Sequence, residues 1–297
     1  MTSISAFVIS FERDEYLLNT IAHIKAQISS SMRILIVDNS YSSRISSLCH
    51  SSLSNTVTIY SVGTNLGPAG AAKIGLEKLA AEDYDWIYWG DDDDPPTDPN
   101  TFERLLEIAS LNPEAGVIGK VGGEFIPSRA RTRVFSNEEL IPITEADYVT
   151  GGKQMIVSSK LIKAGVLPNP DLFFGFEELD FCLRAKDAGF SILIDGEGIL
   201  KARNRQGNSN PNYRWKGKSY GRVDQLNRQY YSLRNLLFIL SSRGEWQGYS
   251  FLLFKTFGKM IFAFRHGFDY GIKFCKSQYL AISHERKRQL GQYVVFP

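Results

Sequence analysis

The chain alternates short apolar runs, bounded by polar turns, with longer segments in which apolar residues recur at helical spacing. Leu17, Ile21 and Ile24, for example, lie on one face of a 3.6-residue helix. In the first half the predicted strands are 6–10, 32–37, 57–61 and 86–89, and the predicted helices are 15–27 and one that ends at 79. This alternation is typical of an α/β fold, a mainly parallel Rossmann-like sheet flanked by helices.

The second half has a less regular pattern. Its predicted strands are 116–119, 148–149, 155–157 and 192–194, and its predicted helices are 177–188, one that ends at 240, 245–264 and 268–290. Residues 201–222 are rich in Lys, Arg, Asn and Gly, a composition that predicts a long mobile loop. We therefore expect an α/β unit over residues 1–240 and a helical extension over residues 241–297.

The helical extension is predicted to be amphipathic. Lys255, Lys259, His266 and Lys273 fall on one side of a 3.6-residue helix, and the other side carries Leu253, Phe257, Met260, Ile261 and Phe264. Basic residues beside an apolar strip are typical of a helix that lies on an anionic membrane surface. The alternative is a helix that packs against the α/β unit or against a second subunit.

Composition describes an ordinary folded protein with nearly balanced charge. The 297 residues are 43% apolar and 22% charged, with a mean hydropathy of −0.18. A net charge of +2 is too small to indicate nucleic-acid binding. Cys49, Cys182 and Cys275 lack the spacing of a disulfide framework or metal site, which favours a reducing cytoplasm. The chain shows no signal-peptide pattern and no run of about 18 apolar residues, so we expect no membrane-spanning segment.

Four consecutive aspartates, Asp91 to Asp94, directly follow the predicted strand 86–89. Like charges a few Å apart repel one another unless water solvates them or a cation is shared between them. Carboxylate oxygens suit Mg²⁺ or Mn²⁺, ions that also bind diphosphates. The alternative is a solvated acidic turn, and spacing alone leaves open which of the four would bind the metal.

Two further polar groups follow predicted strands. Asp38 ends the second strand, where it could accept the imide N–H of uracil or thymine or simply form a turn. The turn from Asn65 to Gly70 contains small residues ahead of a helix, so its backbone N–H groups could approach an anionic ligand. Because open α/β sheets bind ligands at the carboxyl ends of their strands, we expect these groups and the aspartates to lie together.

Three carboxylates stand at the start of the predicted helix 177–188, preceded by aromatic residues. Glu177, Glu178 and Asp180 lie where the helix dipole and free N–H groups stabilise anions. A carboxylate shielded by aromatic rings is a candidate general base for an alcohol. In the alternative interpretation the glutamates stabilise the first helical turn and Asp180 pairs with Arg184 at i, i+4.

The order and spacing of these motifs resemble family 2 glycosyltransferases of the GT-A fold, and within them most closely the rhamnosyltransferase and galactofuranosyltransferase branch. The resemblance covers about residues 4 to 240. The segments that carry it are 11–13, 37–40, 65–70, 86–93, 174–180 and 183–184. Residues 230–235 also resemble a segment of these enzymes, for which we expect a packing role.

The resemblance implies a catalytic domain over 1–240, with a nucleotide-binding half (1–115) and an acceptor-binding half (116–240). It implies that Glu178 is the catalytic base, that Asp91 and Asp93 hold Mn²⁺ or Mg²⁺, and that Glu177 and Asp180 contact the acceptor. The residues implied in donor binding are Phe11, Arg13, Asp38, Asn65, Gly67 and Asp92.

The sequence departs from the family pattern at two places. Glu178 stands where relatives have Asp, which lengthens the arm of the base by one methylene group. No His occupies the neighbourhood of residues 201–205, where many relatives have a metal ligand. Lys201, Arg203 and Arg205 lie there instead and could neutralise the leaving group directly. The predicted loop, with Arg214, Lys216 and Lys218, could then close over the diphosphate.

The resemblance implies an inverting, metal-dependent transferase. It would move rhamnose, galactofuranose or galactose from a UDP- or dTDP-sugar to a lipid-linked acceptor of a cell-envelope polysaccharide such as O-antigen. The expected location is the cytoplasm, with peripheral contact at the inner face of the plasma membrane, and the oligomeric state is left open.

Two other interpretations are a nucleotide-sugar-binding protein without transferase activity and a sugar-1-phosphate nucleotidyltransferase. The latter needs a glycine-rich basic loop after the first strand, where this chain has residues 10–15.

Overall fold

The structure is a computed structural model that describes residues 2–27, 32–41, 56–151, 154–206 and 221–296. Its strands are β1 (Ile4–Ser10), β2 (Ile34–Asp38), β3 (Val57–Ser61), β4 (Trp86–Asp91), β5 (Ala115–Gly119), β6 (Gly122–Ile126), β7 (Arg131–Val134), β8 (Ile143–Glu145), β9 (Tyr148–Val149), β10 (Met155–Ser158) and β11 (Ser191–Asp195). Its α-helices are α1 (Asp14–Lys25), α2 (Gly67–Ala80), α3 (Thr101–Leu111), α4 (Ser159–Lys163), α5 (Glu177–Asp187), α6 (Gly196–Gln206), α7 (Leu226–Ser242), α8 (Trp246–Ala263) and α9 (Phe268–Arg286).

The central sheet has eight strands in the order β3-β2-β1-β4-β10-β5-β11-β8. Six of them run in one direction, and β10 and β8 run in the other. A smaller antiparallel sheet, β7-β6-β9, lies beside it. The predicted mainly parallel sheet with flanking helices is therefore confirmed.

Alternate residues of β1 face two separate cores, which explains why this strand is apolar throughout. Phe7 and Ile9 pack into the core that includes α2, whereas Ala6 and Val8 pack into the core under α1 and α3. All seven residues of the strand are buried. A parallel strand covered on both faces has this composition, whereas a half-exposed strand would alternate.

The C-terminal helices share a third core with the α/β unit. Tyr230, Leu237 and Leu240 of α7 pack with Leu179 of α5 and Leu252 of α8. Tyr249 of α8 and Ser241 of α7 both donate hydrogen bonds to the buried carboxylate of Glu285 in α9. Helix α5, which begins at Glu177, is thus packed against the C-terminal helices. Over the ranges that the structure covers, no helix is long and apolar enough to cross a membrane.

The prediction of a mobile loop over residues 201–222 is wrong for its first part, because residues up to Gln206 belong to α6. Asp195 accepts a hydrogen bond from the Gly198 N–H and so satisfies the start of this helix. Lys201 pairs with Glu197 one turn earlier, and Ile199 and Leu200 pack against the core. The remaining loop residues named above, from Arg214 to Lys218, lie outside the described residues, as does Cys49.

Candidate functional site

The carboxyl ends of β1, β2 and β4 lie side by side and bring the first polar groups together. In the parallel register Ser10 is opposite Asp38, and Ile9 is opposite Asp91. The Asp38 carboxylate is buried and accepts hydrogen bonds from the Ser40 N–H (3.1 Å) and the Ser61 hydroxyl (3.4 Å). Residues from three strand ends therefore form one edge of the site, as the sequence predicted.

Two asparagines join the end of β2 to the start of α2. The buried Asn39 side chain donates to Asn65 Oδ1 (3.1 Å) and to the Gly67 carbonyl (3.2 Å), and its Oδ1 accepts from the Leu66 N–H (2.9 Å). Asn65 Oδ1 also accepts from the Gly67 N–H (2.8 Å). Asn39 was not among the predicted site residues. Its place directly after a strand-end aspartate is the signal that could have identified it.

Gly67 has a positive φ of +70°, and a Cβ atom there would overlap the carbonyl oxygen of Phe173. Gly67→Ala should therefore lower the free energy of unfolding by about 2–4 kcal/mol, because backbone strain and a clash with fixed backbone add. Gly63 has a similar φ of +76° but open space around it, so Gly63→Ala should cost only about 1–2 kcal/mol. Urea unfolding of both variants measures the difference, and equal losses would contradict the close approach at Gly67.

The Asp91 carboxyl lies at the start of the acidic turn, on the last residue of β4. Burial, together with the negative charges of Glu178 and of the three following aspartates, raises the pKa of Asp91 to about 7. Trp89 of β4 and Phe181 of α5 pack with ring centroids 6.0 Å apart, so the end of β4 lies beside the first turns of α5. Asp91 and Glu178 therefore lie within range of each other's charge.

Asp92 and Asp93 turn towards the segment after β1. The buried Asp92 carboxylate accepts hydrogen bonds from the Ser10 hydroxyl and the Phe11 N–H, both at 3.3 Å. Arg13 lies 3.5 Å from Asp92 and forms an ion pair with Asp93. Burial raises the pKa of Asp92, while the Phe11 hydrogen bond and the Arg13 charge oppose this rise. The two residues 11 and 13 are thus tied to the acidic turn.

The ring of Phe11 meets the ring of Tyr41 edge to face, with centroids 6.3 Å apart. The Glu12 N–H donates to the Ser40 hydroxyl, which brings this pair next to Asp38. Tyr41 is exposed and was not predicted as a site residue. Its position shortly after Asp38 was the only signal that the sequence offered.

Glu177 and Glu178 begin α5 but lie in different surroundings. Glu177 is 4% exposed, and its Oε2 atom has no hydrogen-bond partner among the described residues. Burial, and then the charge of Glu178, raise the pKa of Glu177 well above its usual value. Burial also raises the pKa of Glu178, opposed by backbone hydrogen bonds that include one from Gly151. Gly151 approaches so closely that a Cβ atom there would overlap the Glu178 carboxylate.

The backbone ahead of these glutamates is held by two buried side chains of α7. Asn235 donates to the carbonyls of Leu172, Phe174 and Gly175 at 2.8–3.0 Å. Arg234, fully buried, donates to the Leu172 carbonyl (3.0 Å) and to the Gly291 carbonyl (2.7 Å).

This contact matters because Phe173 and Phe176 adopt positive φ angles of 59° and 66°, which need external support in non-glycine residues. For residues 230–235 we predicted a packing role only. That prediction did not include the hydrogen bonds from Arg234 and Asn235 to this backbone. Arg234 and Asn235, which stand between Leu233 and Leu236, were the signal of these bonds in the sequence.

Asp180 forms an ion pair with Arg184 at 2.8 Å, and Arg184 also donates to the Leu167 carbonyl. Burial raises the pKa of Asp180, and Arg184 opposes the rise. This pair lines a cavity of about 540 Å³ that neither Glu177 nor Glu178 lines. These contacts agree with the alternative interpretation, in which Asp180 is the ion-pair partner of Arg184 on the same helix.

A larger cavity of about 870 Å³ lies beyond the acidic turn, at the carboxyl ends of β4, β5 and β11. Asp94 lines it, as do Lys201, Arg203 and Arg205 of α6, whereas Asp91 does not. Lys201 is paired with Glu197, and Arg203 donates to the Asn137 side chain and the Phe135 carbonyl. Burial lowers the pKa of Arg203. The three basic residues thus share one helix beside the turn.

The acidic turn offers an incomplete shell for a metal ion. Within the part of the chain that the structure describes, no three His, Cys, Asp or Glu side chains are grouped to enclose a cation. Burial and, after it, the neighbouring carboxylates raise the pKa of Asp91, and a divalent cation at this position would offset both effects. Hard carboxylate oxygens are the ligands that Mg²⁺ and Mn²⁺ take. The residues therefore fit an open site in which a bound ligand supplies the further oxygens.

Comparisons with known proteins agree with this architecture. GalNAc-T7, solved with UDP, GalNAc and Mn²⁺, has a TM-score of 0.58 at 13% identity, over 81% of this chain and 48% of its own. The mannosyltransferase PcManGT from Pyrobaculum calidifontis, solved with GDP-Man and Mn²⁺, has a TM-score of 0.52 at 11% identity, over 99% of this chain and 77% of its own.

This chain thus spans about half the length of GalNAc-T7, and at these identities the likeness concerns the GT-A fold. No curated protein is similar enough in sequence to count as a match. The sequence model described as glycosyl transferase family 2 matches residues 5–160, which is 156 of the 297 residues. The chain belongs to glycosyl transferase family 2.

Proposed function

We propose that this protein transfers a sugar from a nucleoside diphosphate sugar to a hydroxyl group, with inversion at the anomeric carbon. The observation that carries the proposal is the packing of β4 against α5 through Trp89 and Phe181, which brings Asp91 and Glu178 within range of each other's charge at the end of the sheet. A group that can balance a diphosphate and a group that can take a proton must be neighbours for a single in-line displacement.

The donor nucleotide would lie over the ends of β1 and β2. Asp38 would accept the imide N–H of a pyrimidine base, which favours UDP- or dTDP-sugars, and the neighbouring Phe11 would contact the base. Asn65 and Gly67 would meet the ribose through the turn that Asn39 holds. Asp92 would support this region through its hydrogen bond to the Phe11 N–H.

A divalent cation, Mn²⁺ or Mg²⁺, would be held by Asp91 and Asp93. When bound, it would act as a Lewis acid that neutralises the departing diphosphate. Arg13 pairs with Asp93, so it lies where it can bind the diphosphate once Asp93 faces the cation. Both structural neighbours were solved with Mn²⁺, which supports this choice of ion. Lys201, Arg203 and Arg205 would add positive charge on the side of α6.

Glu178 would act as the base. Its carboxylate takes the proton of an acceptor hydroxyl as that oxygen forms a bond to the anomeric carbon, while the bond from that carbon to the diphosphate oxygen breaks. Burial raises the pKa of Glu178, which makes its carboxylate a stronger base than that of an exposed glutamate. Glu177, buried behind it, would orient the acceptor side of the site.

The acceptor would approach from the side of Glu178, and the 870 Å³ cavity beside Asp94, which Lys201, Arg203 and Arg205 line, would lie on the side of the departing diphosphate. We assign residues 1–115 to donor binding and 116–240 to acceptor binding, and we place Asp180 in the support of α5 through Arg184. The transferred sugar would be rhamnose, galactofuranose or galactose, and the acceptor a lipid-linked, growing cell-envelope polysaccharide at the inner face of the plasma membrane. The resemblance of the motifs to the rhamnosyltransferase and galactofuranosyltransferase branch supports this finer assignment.

A thermal-shift panel of UDP, dTDP and GDP, each with and without Mn²⁺, tests the donor site. A pyrimidine nucleotide with Mn²⁺ at about 100 times its Kd should stabilise the protein by about 2.7 kcal/mol, or about 5–10 °C in Tm. An equal response to GDP would contradict the role of Asp38. Stabilisation without sugar transfer in an activity assay would indicate a nucleotide-sugar-binding protein, and pyrophosphate formation from a nucleoside triphosphate would indicate a nucleotidyltransferase.

A further inference from the structure

Helix α8 presents a row of large apolar side chains to solvent. We call this row the aromatic face; it consists of Phe251, Phe254, Phe257, Ile261 and Phe262. Phe254 is 81% exposed, Ile261 71% and Phe257 66%. Exposed apolar patches of this kind are rare on proteins that stay free in water, and they mark surfaces that meet a partner.

The aromatic face is not exposed because α8 lacks a core to pack against. The opposite side of α8 is already packed, with Leu252, Thr256 and Ala263 buried. Leu252 belongs to the core shared with α7, and Ala263 to a cluster with Phe274 of α9. The helix is thus anchored through one side, and this orientation fixes the aromatic face outward.

The exposed apolar surface continues past the end of α8. Phe264 is part of the short turn between α8 and α9, and Phe268 and Ile272 lie on the first turns of α9, all of them exposed. The rings of Phe264 and Phe268 contact each other with centroids 5.7 Å apart, so the exposed apolar surface includes residues on both sides of the turn.

The charge of this segment identifies what the face meets. Residues 246–268 contain no Asp or Glu, and Lys255, Lys259 and Arg265 give them a net positive charge. The first acidic residue that follows, Asp269, is paired with Lys273. Apolar rings for the acyl boundary together with lysines and arginines for headgroup phosphates suit an anionic lipid surface.

A second copy of the chain suits the same face poorly. A twofold dimer brings identical patches together, so Lys255, Lys259 and Arg265 of one copy would approach the same residues of the other, and residues 246–268 contain no acidic residue to pair with them. We therefore propose that the aromatic face of α8 docks the protein on an anionic bilayer surface. This inference adds a membrane-binding surface to the proposed function, which names a lipid-linked acceptor. Only the biological purpose of the docking rests on that proposed function.

The docking surface is connected to the proposed base through packed elements. α8 packs on α7, and Arg234 and Asn235 of α7 hold the carbonyls of the segment that precedes Glu178. A bilayer bound at α8 would thus be connected through α7 to the backbone segment that carries the proposed base.

Co-sedimentation with vesicles tests the proposal, using phosphatidylcholine alone and phosphatidylcholine mixed with phosphatidylglycerol, in the absence of any nucleotide or sugar. The wild-type protein should bind the anionic vesicles, and the double variant Phe254→Ser/Ile261→Ser should bind them at least about tenfold more weakly, because two inserted side chains are lost. Lys255→Gln should weaken binding by a smaller factor, and added salt should weaken binding of the wild type.

Leu111→Ser is the matched control, since Leu111 is 65% exposed on α3, outside the helical region; this variant should bind like the wild type. Three results would overturn the proposal: no binding to anionic vesicles, equal binding by the double variant, or a dimer in light scattering that the double variant dissolves. The Mn²⁺-dependent thermal shift with UDP, measured on the same double variant, should be unchanged. Failure of vesicle docking is thereby distinguishable from failure of the proposed transferase function.

Discussion

Replacing Glu178 with Gln is expected to lower kcat for sugar transfer by about 10³-fold, within the range known for the loss of a general base. The amide keeps the size of the side chain, so donor binding should be preserved and the KM for the donor should change little. Initial rates of nucleoside diphosphate release with a saturating acceptor measure the effect.

Glu177→Gln is the matched control. Burial and the charge of Glu178 both disfavour a negative charge on Glu177 and raise its pKa, so an uncharged amide of the same size should be tolerated there. We expect the kcat of this variant to fall by less than about tenfold. If Glu177→Gln lost activity and Glu178→Gln kept it, the base would be the buried member of the pair.

Asp91→Asn is expected to abolish the Mn²⁺-dependent stabilisation by UDP and to lower transfer by about 10²-fold or more, because the cation contributes several kcal/mol of charge stabilisation. The same variant should be as stable as the wild type, or more stable, without metal. The reason is that the amide removes the repulsion between Asp91 and the charges of Glu178 and the following aspartates. Melting curves with and without Mn²⁺ and UDP measure both effects.

Asp98→Asn provides the comparison, since Asp98 follows the same strand but is half exposed and lies beside Lys120. It should retain the Mn²⁺-dependent shift. A shift that survives in Asp91→Asn would contradict the metal role of this residue, whatever the activity of the variant.

The regular elements of the first half followed closely from the sequence. The strand predicted at 57–61 has those bounds, and the strand predicted at 6–10 extends by two residues to Ile4. Central strands buried on both faces carry continuous apolar runs, which are easy to recognise. The strands β6, β7 and β8 were not predicted, because short strands with mixed polar composition, such as Arg131–Val134, carry no clear period.

Sequence motifs named the acidic turn, Asp38 and the glutamates, and the fold brings these into one region. They did not reveal that Arg13 pairs with Asp93 or that α7 holds the carbonyls ahead of Glu177, whereas the pair of Asp180 with Arg184, four residues apart, was one of the two interpretations that the sequence offered. Family membership is confirmed, whereas the sugar, the nucleotide and the acceptor stay proposals. Partners far apart along the chain depend on how helices pack, which spacing does not encode.

Local chemistry along the chain was enough to specify the α/β class, the family and the acidic and glutamate motifs, because apolar periodicity and short polar motifs act over a few neighbouring residues. The packing of distant segments assigned each carboxylate its surroundings, raised the pKa of Asp91 to about 7 and turned one face of α8 to solvent. Those properties depend on burial and on charges brought together across the sheet, and burial exists only once the chain has folded.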